Sequence, residues 1–321
     1  QDFFACNAPI KGLYELGVEV EENSELDLLV SYKEHANDPR IEDVCKDMAA
    51  EMGEGHYYPD LLARMAQFEL TLLDWADAHK GNKKYVAFAD KCWPAFPSQF
   101  GFEPCYVNSR LVSRGIPVSC EVDIYGALSE YIGMCASGDT VTLLDINNSV
   151  PQYIYDEDIA GKFDYSLTDT FMGFHCGNTP SCKMCDNRAV KYQLIQHRLL
   201  EPAGSDPDFT RGTLEGDIAP SPITFYRLQC DSDGVVRSYI AEGEVLPVAT
   251  RSFGGIGVFA INEMGRFYRH VLVQKRYPHH GAVAFDHCAK QLFEVFKYLG
   301  VQDIAWNQPK SLPYPTENPW A

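Results

Sequence analysis

The stretch GIPVSCEVDIYGALSEYIGMCASGDTVTLLD, residues 115–145, decides how this chain is read. Gly115 to Cys120 suits a short buried strand, and Val122 to Cys135 has helical periodicity. Ser137-Gly-Asp then makes a turn, and Thr140 to Leu144 is a second strand. A strand–helix–strand unit of this kind predicts two parallel strands. Glu121 directly follows the first strand and Asp145 the second, so both carboxylates are expected on one rim of a sheet, where α/β proteins place their ligands. Two acids that close repel each other unless one keeps a proton or a cation sits between them. The same two residues also read as a helix-start acid and a turn residue.

Around this unit the first half alternates helix and strand. Residues 59–79 carry Leu61, Leu62, Met65, Phe68, Leu72 and Trp75 at three- and four-residue spacing, one face of an amphipathic helix, and Lys84 to Ala89 reads as a strand. Beyond about residue 165 the texture becomes β-rich. Ile223 to Leu228, Val235 to Ala241, Gly257 to Ile261 and Arg269 to Val273 read as strands divided by Asp-Gly, Gly-Gly and Met-Gly turns. A closing helix is expected over Ala284 to Leu299, and the proline-rich tail from Asn307 as an extended surface segment. The expected division is therefore an α/β domain over 1–165 and a β-rich domain over 166–321.

Composition narrows the function classes. With 45 acidic and 27 basic side chains the net charge is −18, which repels phosphate backbones and anionic membrane surfaces, so no nucleic-acid or membrane partner is expected. No apolar run approaches the roughly 18 residues of a membrane span, and no basic segment followed by an apolar one opens the chain. The expectation is a soluble, cytoplasmic protein, and 11 cysteines, an odd number, fit free thiols better than a disulfide framework. A chain opening on Gln1 and running straight into Asp-Phe-Phe-Ala-Cys reads as a piece of a longer protein.

Two histidines stand side by side in Tyr277-Pro-His-His-Gly-Ala-Val-Ala-Phe-Asp-His287. In extended backbone neighbouring side chains point to opposite faces, so only one of His279 and His280 is expected to reach a given site. Two carboxylates and one imidazole would make an oxygen-rich site suited to Mn²⁺ or Mg²⁺. A rival metal site lies in His175-Cys-Gly-Asn-Thr-Pro-Ser-Cys-Lys-Met-Cys185, where Cys176, Cys182 and Cys185 with His175 could form a zinc knuckle, although four ligands within so short a stretch need a tight loop. Trp93, beside two prolines after the expected 84–89 strand, could stack on a sugar face or simply pack. Phe253-Gly-Gly-Ile-Gly257 lacks the strand–turn–helix setting of a dinucleotide loop and reads as a turn.

Three blocks carry a family resemblance. Cys120-Glu121-Val-Asp-Ile-Tyr-Gly-Ala-Leu, Leu144-Asp145-Ile, and His279-His280-Gly-Ala-Val-Ala-Phe-Asp-His287 resemble, in order and spacing, the metal-dependent L-fucose isomerase and L-arabinose isomerase group, over its middle and C-terminal portions. The resemblance implies a Rossmann-like α/β domain followed by a β-barrel domain, with the site between them. It implies Glu121, Asp145 and His280 as ligands of Mn²⁺, or of Mg²⁺ or another divalent ion, with Glu121 and Asp145 moving the proton of an aldose–ketose isomerisation through an enediolate. His279 takes the place of an asparagine near the substrate, and His175, with Asn178 in the same loop, falls where the group has a polar loop or, in the arabinose branch, a further metal-binding His. L-Fucose, D-arabinose or L-arabinose-like sugars would be substrates. Members carry a further N-terminal domain that the resemblance does not extend to, and assemble as trimers or hexamers, so an incomplete catalyst or a sugar- or metal-binding relative is the alternative.

Overall fold

The computed structural model describes Cys6, residues 8–318 and Trp320. The N-terminal part is a helical layer, Ile10–Glu15, Glu25–Glu34, Ile41–Met52 and Leu62–His79. In the longest of these helices Met65, Phe68 and Leu72 are buried at the spacing read from the sequence, while Trp75 is half-buried and Ala76 beside it is buried; Phe68 meets Phe96, Phe100 and Phe102 with ring centroids 5.2–5.7 Å apart. Strand β1 (Phe88–Ala89) follows, then helices Ala95–Phe100 and Cys105–Ser113, then β2 (Val118–Ser119), which pairs with β1 in parallel. The expected strand over 84–89 shrinks to its last two residues.

Helix Ile124–Ser137 leads from this small sheet to a large one. Asp123 caps its start by accepting the Gly126 N–H at 2.8 Å, and Gly138 ends it in the left-handed conformation. It packs across the next strand, β3 (Val141–Asn148), and across two later strands. After β3 come β4 (Thr170–His175), β5 (Ala189–Tyr192), helix Leu194–Leu200, β6 (Arg211–Asp217), β7 (Ser221–Cys230), β8 (Val236–Leu246), β9 (Gly255–Ala260), β10 (His280–Ala284), helix Ala289–Tyr298 and β11 (Asp303–Trp306). The spatial order is β11-β8-β7-β10-β3-β4-β9-β6-β5, antiparallel except for β11–β8 and β6–β9, and β8 also pairs with β9 over Glu244–Leu246. That second pairing curls the sheet, with β11, β6 and β5 outside the curl. The architecture is mixed α/β built on one large sheet, not a doubly wound layer followed by a plain closed barrel.

Several expectations change. β2 and β3 are not parallel neighbours: β3 lies between β10 and β4 and runs antiparallel to both. Its run Val141-Thr-Leu-Leu144 is buried on both faces, which suits any central strand and leaves the partner unspecified by local pattern. Arg269 to Val273 is helical and continues helix Met264–Phe267, because Phe267 and Val271 recur at four-residue spacing and both are buried. His280 to Ala284 is strand, so the closing helix begins only at Ala289. The tail is clipped to the body: Tyr314 is buried, and Arg266 donates to both Glu317 oxygens at 2.6 and 2.8 Å.

Candidate active site

The site starts from strand register. His280 on β10 stands directly opposite Asp145 on β3, and its Nε2 lies 3.0 Å from Asp145 Oδ1. Both atoms are buried, and apart from this close approach neither has a hydrogen-bond partner among the described residues. Glu121 Oε2 approaches His279 Nε2 and His280 Nε2, each at 3.7 Å, and His279 Nε2 lies 3.6 Å from Asp145 Oδ1. Glu121 thus comes from the turn after the small sheet, Asp145 from the middle of the large one. They meet without the shared rim of parallel strands.

Both histidines reach the site, against the expectation that only one would. His279 lies just before β10, after Pro278, where the alternation of a strand does not yet hold, and the two rings sit 4.3 Å apart at 42°.

Glu121 is held by an unusual turn. Glu121 and Val122 have φ of 61° and 53°, successive left-handed residues, the second of them β-branched. The turn is fastened by Val122 N–H to Asp90 O (2.7 Å) and by the Ser119 hydroxyl to Asp123 O (2.6 Å). Each such residue costs roughly 1–2 kcal/mol, and strain of that kind collects where a side chain must be aimed.

Behind His280 lies a buried charge network absent from the sequence reading. Asp123 Oδ2 accepts from His280 Nδ1 at 2.8 Å, and Arg227 spans the same carboxylate with two bonds of 2.7 Å. Arg227 also donates to Gln229 Oε1 at 2.7 Å, and the Cys6 thiol sits 3.4 Å from His280 Nδ1. Burial opposes ionisation of Asp123, but the Arg227 guanidinium and the His280 ring hold its carboxyl far below the usual range. An ionised acceptor on Nδ1 fixes the proton there, and the other ring nitrogen faces Glu121 and Asp145. Two signals pointed this way: an Asp immediately before the helical run Ile124-Tyr-Gly-Ala-Leu, and an arginine inside the apolar strand Ile223-Thr-Phe-Tyr-Arg-Leu.

The acids differ in environment. Burial raises the Glu121 carboxyl, and Asp145 nearby adds to this; burial would also raise Asp145, but the His280, His175 and His279 rings pull it below its usual value. His175, at the end of β4, is buried and its pKa is driven down to about 4, chiefly by burial, so the ring is neutral. Ligand atoms of Asp145, His175 and His280 lie within 4.8 Å of one another, as do those of Cys6, His279 and His280. Carboxylate and imidazole donors with two orphaned inward atoms fit a divalent cation of the Mn²⁺ or Mg²⁺ kind.

The other candidates fall elsewhere. Asn178 is buried and donates to Val118 O at 2.8 Å, tying its loop to β2, while its Oδ1 has no partner among the described residues. Trp93 packs against the core of the helical layer, and no described contact joins it to the carboxylates. The zinc reading is not borne out: among the described residues, the groups placed to share an ion contain none of Cys176, Cys182 and Cys185. Cys182 is exposed, whereas the Cys176 thiol accepts from Gln193 Nε2 at 3.1 Å. Gly255 and Gly257 lie in strand β9, not in a phosphate-binding turn.

Residues 173–306 match the family described as L-fucose isomerase, C-terminal domain. A sulfoquinovose isomerase of Priestia megaterium (strain ATCC 12872 / QMB1551) is 24% identical over 248 residues, 76% of this chain and 48% of that protein. The sulfoquinovose isomerase of Alkalicoccus urumqiensis is 24% identical over 234 residues, 72% of this chain and 46% of its own length. That of Clostridium sp. (strain MSTE9) is 37% identical over 130 residues, 39% of this chain and 28% of the relative. The chain spans about half the length of the first two. The matched segment carries His175, His279 and His280, and over residues 173–306 the chain is similar to the C-terminal domain of L-fucose isomerase.

Proposed function

We propose that this chain is the catalytic portion of a metal-dependent aldose–ketose isomerase, with Glu121, Asp145 and His280 as the metal-holding residues. The observation that carries this is the orphaned pair His280 Nε2 and Asp145 Oδ1, facing Glu121 and braced from behind by Asp123 and Arg227. A divalent ion, Mn²⁺ or Mg²⁺ by the donor set, would supply Lewis acidity toward adjacent sugar oxygens. The chain's own residues do the rest. Glu121 and Asp145 shuttle the proton between C1 and C2, one as base and the other as acid. Asp123 keeps the His280 ring in one orientation, and His279 lines the sugar side of the same space.

The substrate is a hexose or pentose of the L-fucose, D-arabinose or L-arabinose type, or a sulfonated sugar such as its relatives' names carry. A cytoplasmic homo-oligomer, trimer or hexamer in the full-length protein, belongs to the same proposal, with the chain divided near residue 165 into a helix-rich and a β-rich portion. The test is aldose-to-ketose turnover on these four sugars with added Mn²⁺. Glu121→Gln and Asp145→Asn are expected to abolish it, and near-normal turnover in either refutes the assignment. Manganese bound through His280 without turnover on any sugar points instead to a binding relative or a site that needs further chain.

A further inference from the structure

His175 carries one hydrogen bond among the described residues, and its direction is informative. The backbone N–H of Cys176 donates to His175 Nδ1 at 3.0 Å. A backbone amide is only ever a donor, so Nδ1 presents its lone pair and holds no proton. A neutral imidazole has one N–H, which must therefore sit on Nε2. A nitrogen in that state has no lone pair in the ring plane to offer a metal ion, and the nitrogen that does have one already spends it on Cys176.

The ring nevertheless belongs to the candidate active site. A ring nitrogen of His175 lies within 4.8 Å of the ligand atoms of Asp145 and His280, and the His175 and His280 centroids are 5.8 Å apart. Cys176, Gly177 and Asn178 hold the ring's position from the far side: the Cys176 thiol is fastened by Gln193, Asn178 is tied to β2, and Gly177 has φ 145° with Leu214 backbone where a Cβ would stand. The loop is therefore built to keep one tautomer aimed in one direction.

We propose that His175 is a catalytic residue of the isomerisation, acting as a neutral Nε2–H donor to the sugar oxygen that gains negative charge in the enediolate, and that it is not a metal ligand. The inference rests on the isomerase reading above. A fixed donor at a developing oxyanion is worth about 10²–10³ in kcat. A neutral donor suits this place, because it leaves the proton shuttle to Glu121 and Asp145 and adds no charge beside the cation site.

The test compares two variants in the full chain. His175→Asn keeps an acceptor for the Cys176 N–H and removes the distal donor, whereas His175→Gln places an amide N–H near the former Nε2. His175→Asn is expected to lose about 10²–10³-fold in kcat with little change in KM and with Mn²⁺ bound at wild-type stoichiometry and affinity, and His175→Gln to recover most of that loss. Long-range ¹⁵N NMR of the metal-free wild type is expected to show the Nε2–H tautomer at His175. Weakened Mn²⁺ binding in His175→Asn, wild-type turnover in that variant, or an Nδ1–H tautomer each overturns the proposal. Wild-type protein that turns over no sugar, while retaining the tautomer and unaltered Mn²⁺ binding in His175→Asn, overturns the catalytic role in this chain, but leaves the assignment that His175 holds no metal standing.

Discussion

Asp123→Asn is the most informative single substitution in the charge network. The wild-type carboxylate takes four bonds of 2.7–2.8 Å, from the Gly126 N–H, twice from Arg227 and from the His280 Nδ1–H. All of these groups are buried, and Arg227 has no exposed surface. Asparagine keeps the shape and one acceptor oxygen but not the charge, so the guanidinium is left with neutral acceptors only, that oxygen, Gln229 and the His280 carbonyl. Breaking a buried ion pair from one side costs about 3–5 kcal/mol, a large part of the roughly 5–15 kcal/mol by which domains are stable. The second effect is on the ion. Loss of the acceptor that orients a metal-binding imidazole lowers affinity about 10–100-fold. Denaturant unfolding of the metal-free protein and calorimetric Mn²⁺ titration read the two separately. The double variant Asp123→Leu with Arg227→Met removes both charges. It is expected to regain much of the stability while Mn²⁺ affinity stays low. Asp123→Asn with wild-type stability and wild-type Mn²⁺ affinity would refute the network's role.

Two further outcomes follow from buried or strained groups. Glu130 is buried with Oε2 unpartnered, and burial, helped by nearby Asp123, raises its carboxyl to about 8 from an ordinary 4.5. A carboxyl raised on folding contributes stability that is present below pH 4.5 and is lost as pH rises through about 8, so Glu130→Gln should gain on the wild type by a few kcal/mol (order of magnitude) between pH 4.5 and 8. The same gap at pH 4 and pH 8.5 in thermal unfolding would refute this. Val122→Gly relieves the left-handed turn and should leave stability unchanged or raise it by up to about 1 kcal/mol, while kcat falls because Glu121 is no longer held. A clear drop in the melting temperature would count against strain at that position.

What was legible in the sequence was what short segments state about themselves. The 62–79 helix announced its buried face, and the three blocks around Glu121, Asp145 and His280 announced residues that the fold brings within 3.0–3.7 Å. Which strand lies beside which was not legible, because Val141 to Leu144 is buried on both faces and a central strand reads alike whatever its neighbours. The proposed Arg269 to Val273 strand failed for a related reason: branched residues suggested a strand, while the four-residue spacing from Phe267 to Val271 decided for a helix. Asp123 was passed over although only two residues from Glu121, since a capping residue and a buried counter-ion look the same until the arginine 104 positions away is in view.

The pairing of β10 with β3 also dates the site within the life of the chain. Asp123 and His280 are 157 residues apart in sequence, so their contact closes one of the longest loops in the molecule. Contacts of that range form slowly, and a nascent chain ending before β10 holds both carboxylates and no imidazole from the His279-His280 pair. On the proposed ligand set, capacity to hold an ion arrives with the last strands, and uptake of Mn²⁺ during refolding is expected to report completion of the large sheet.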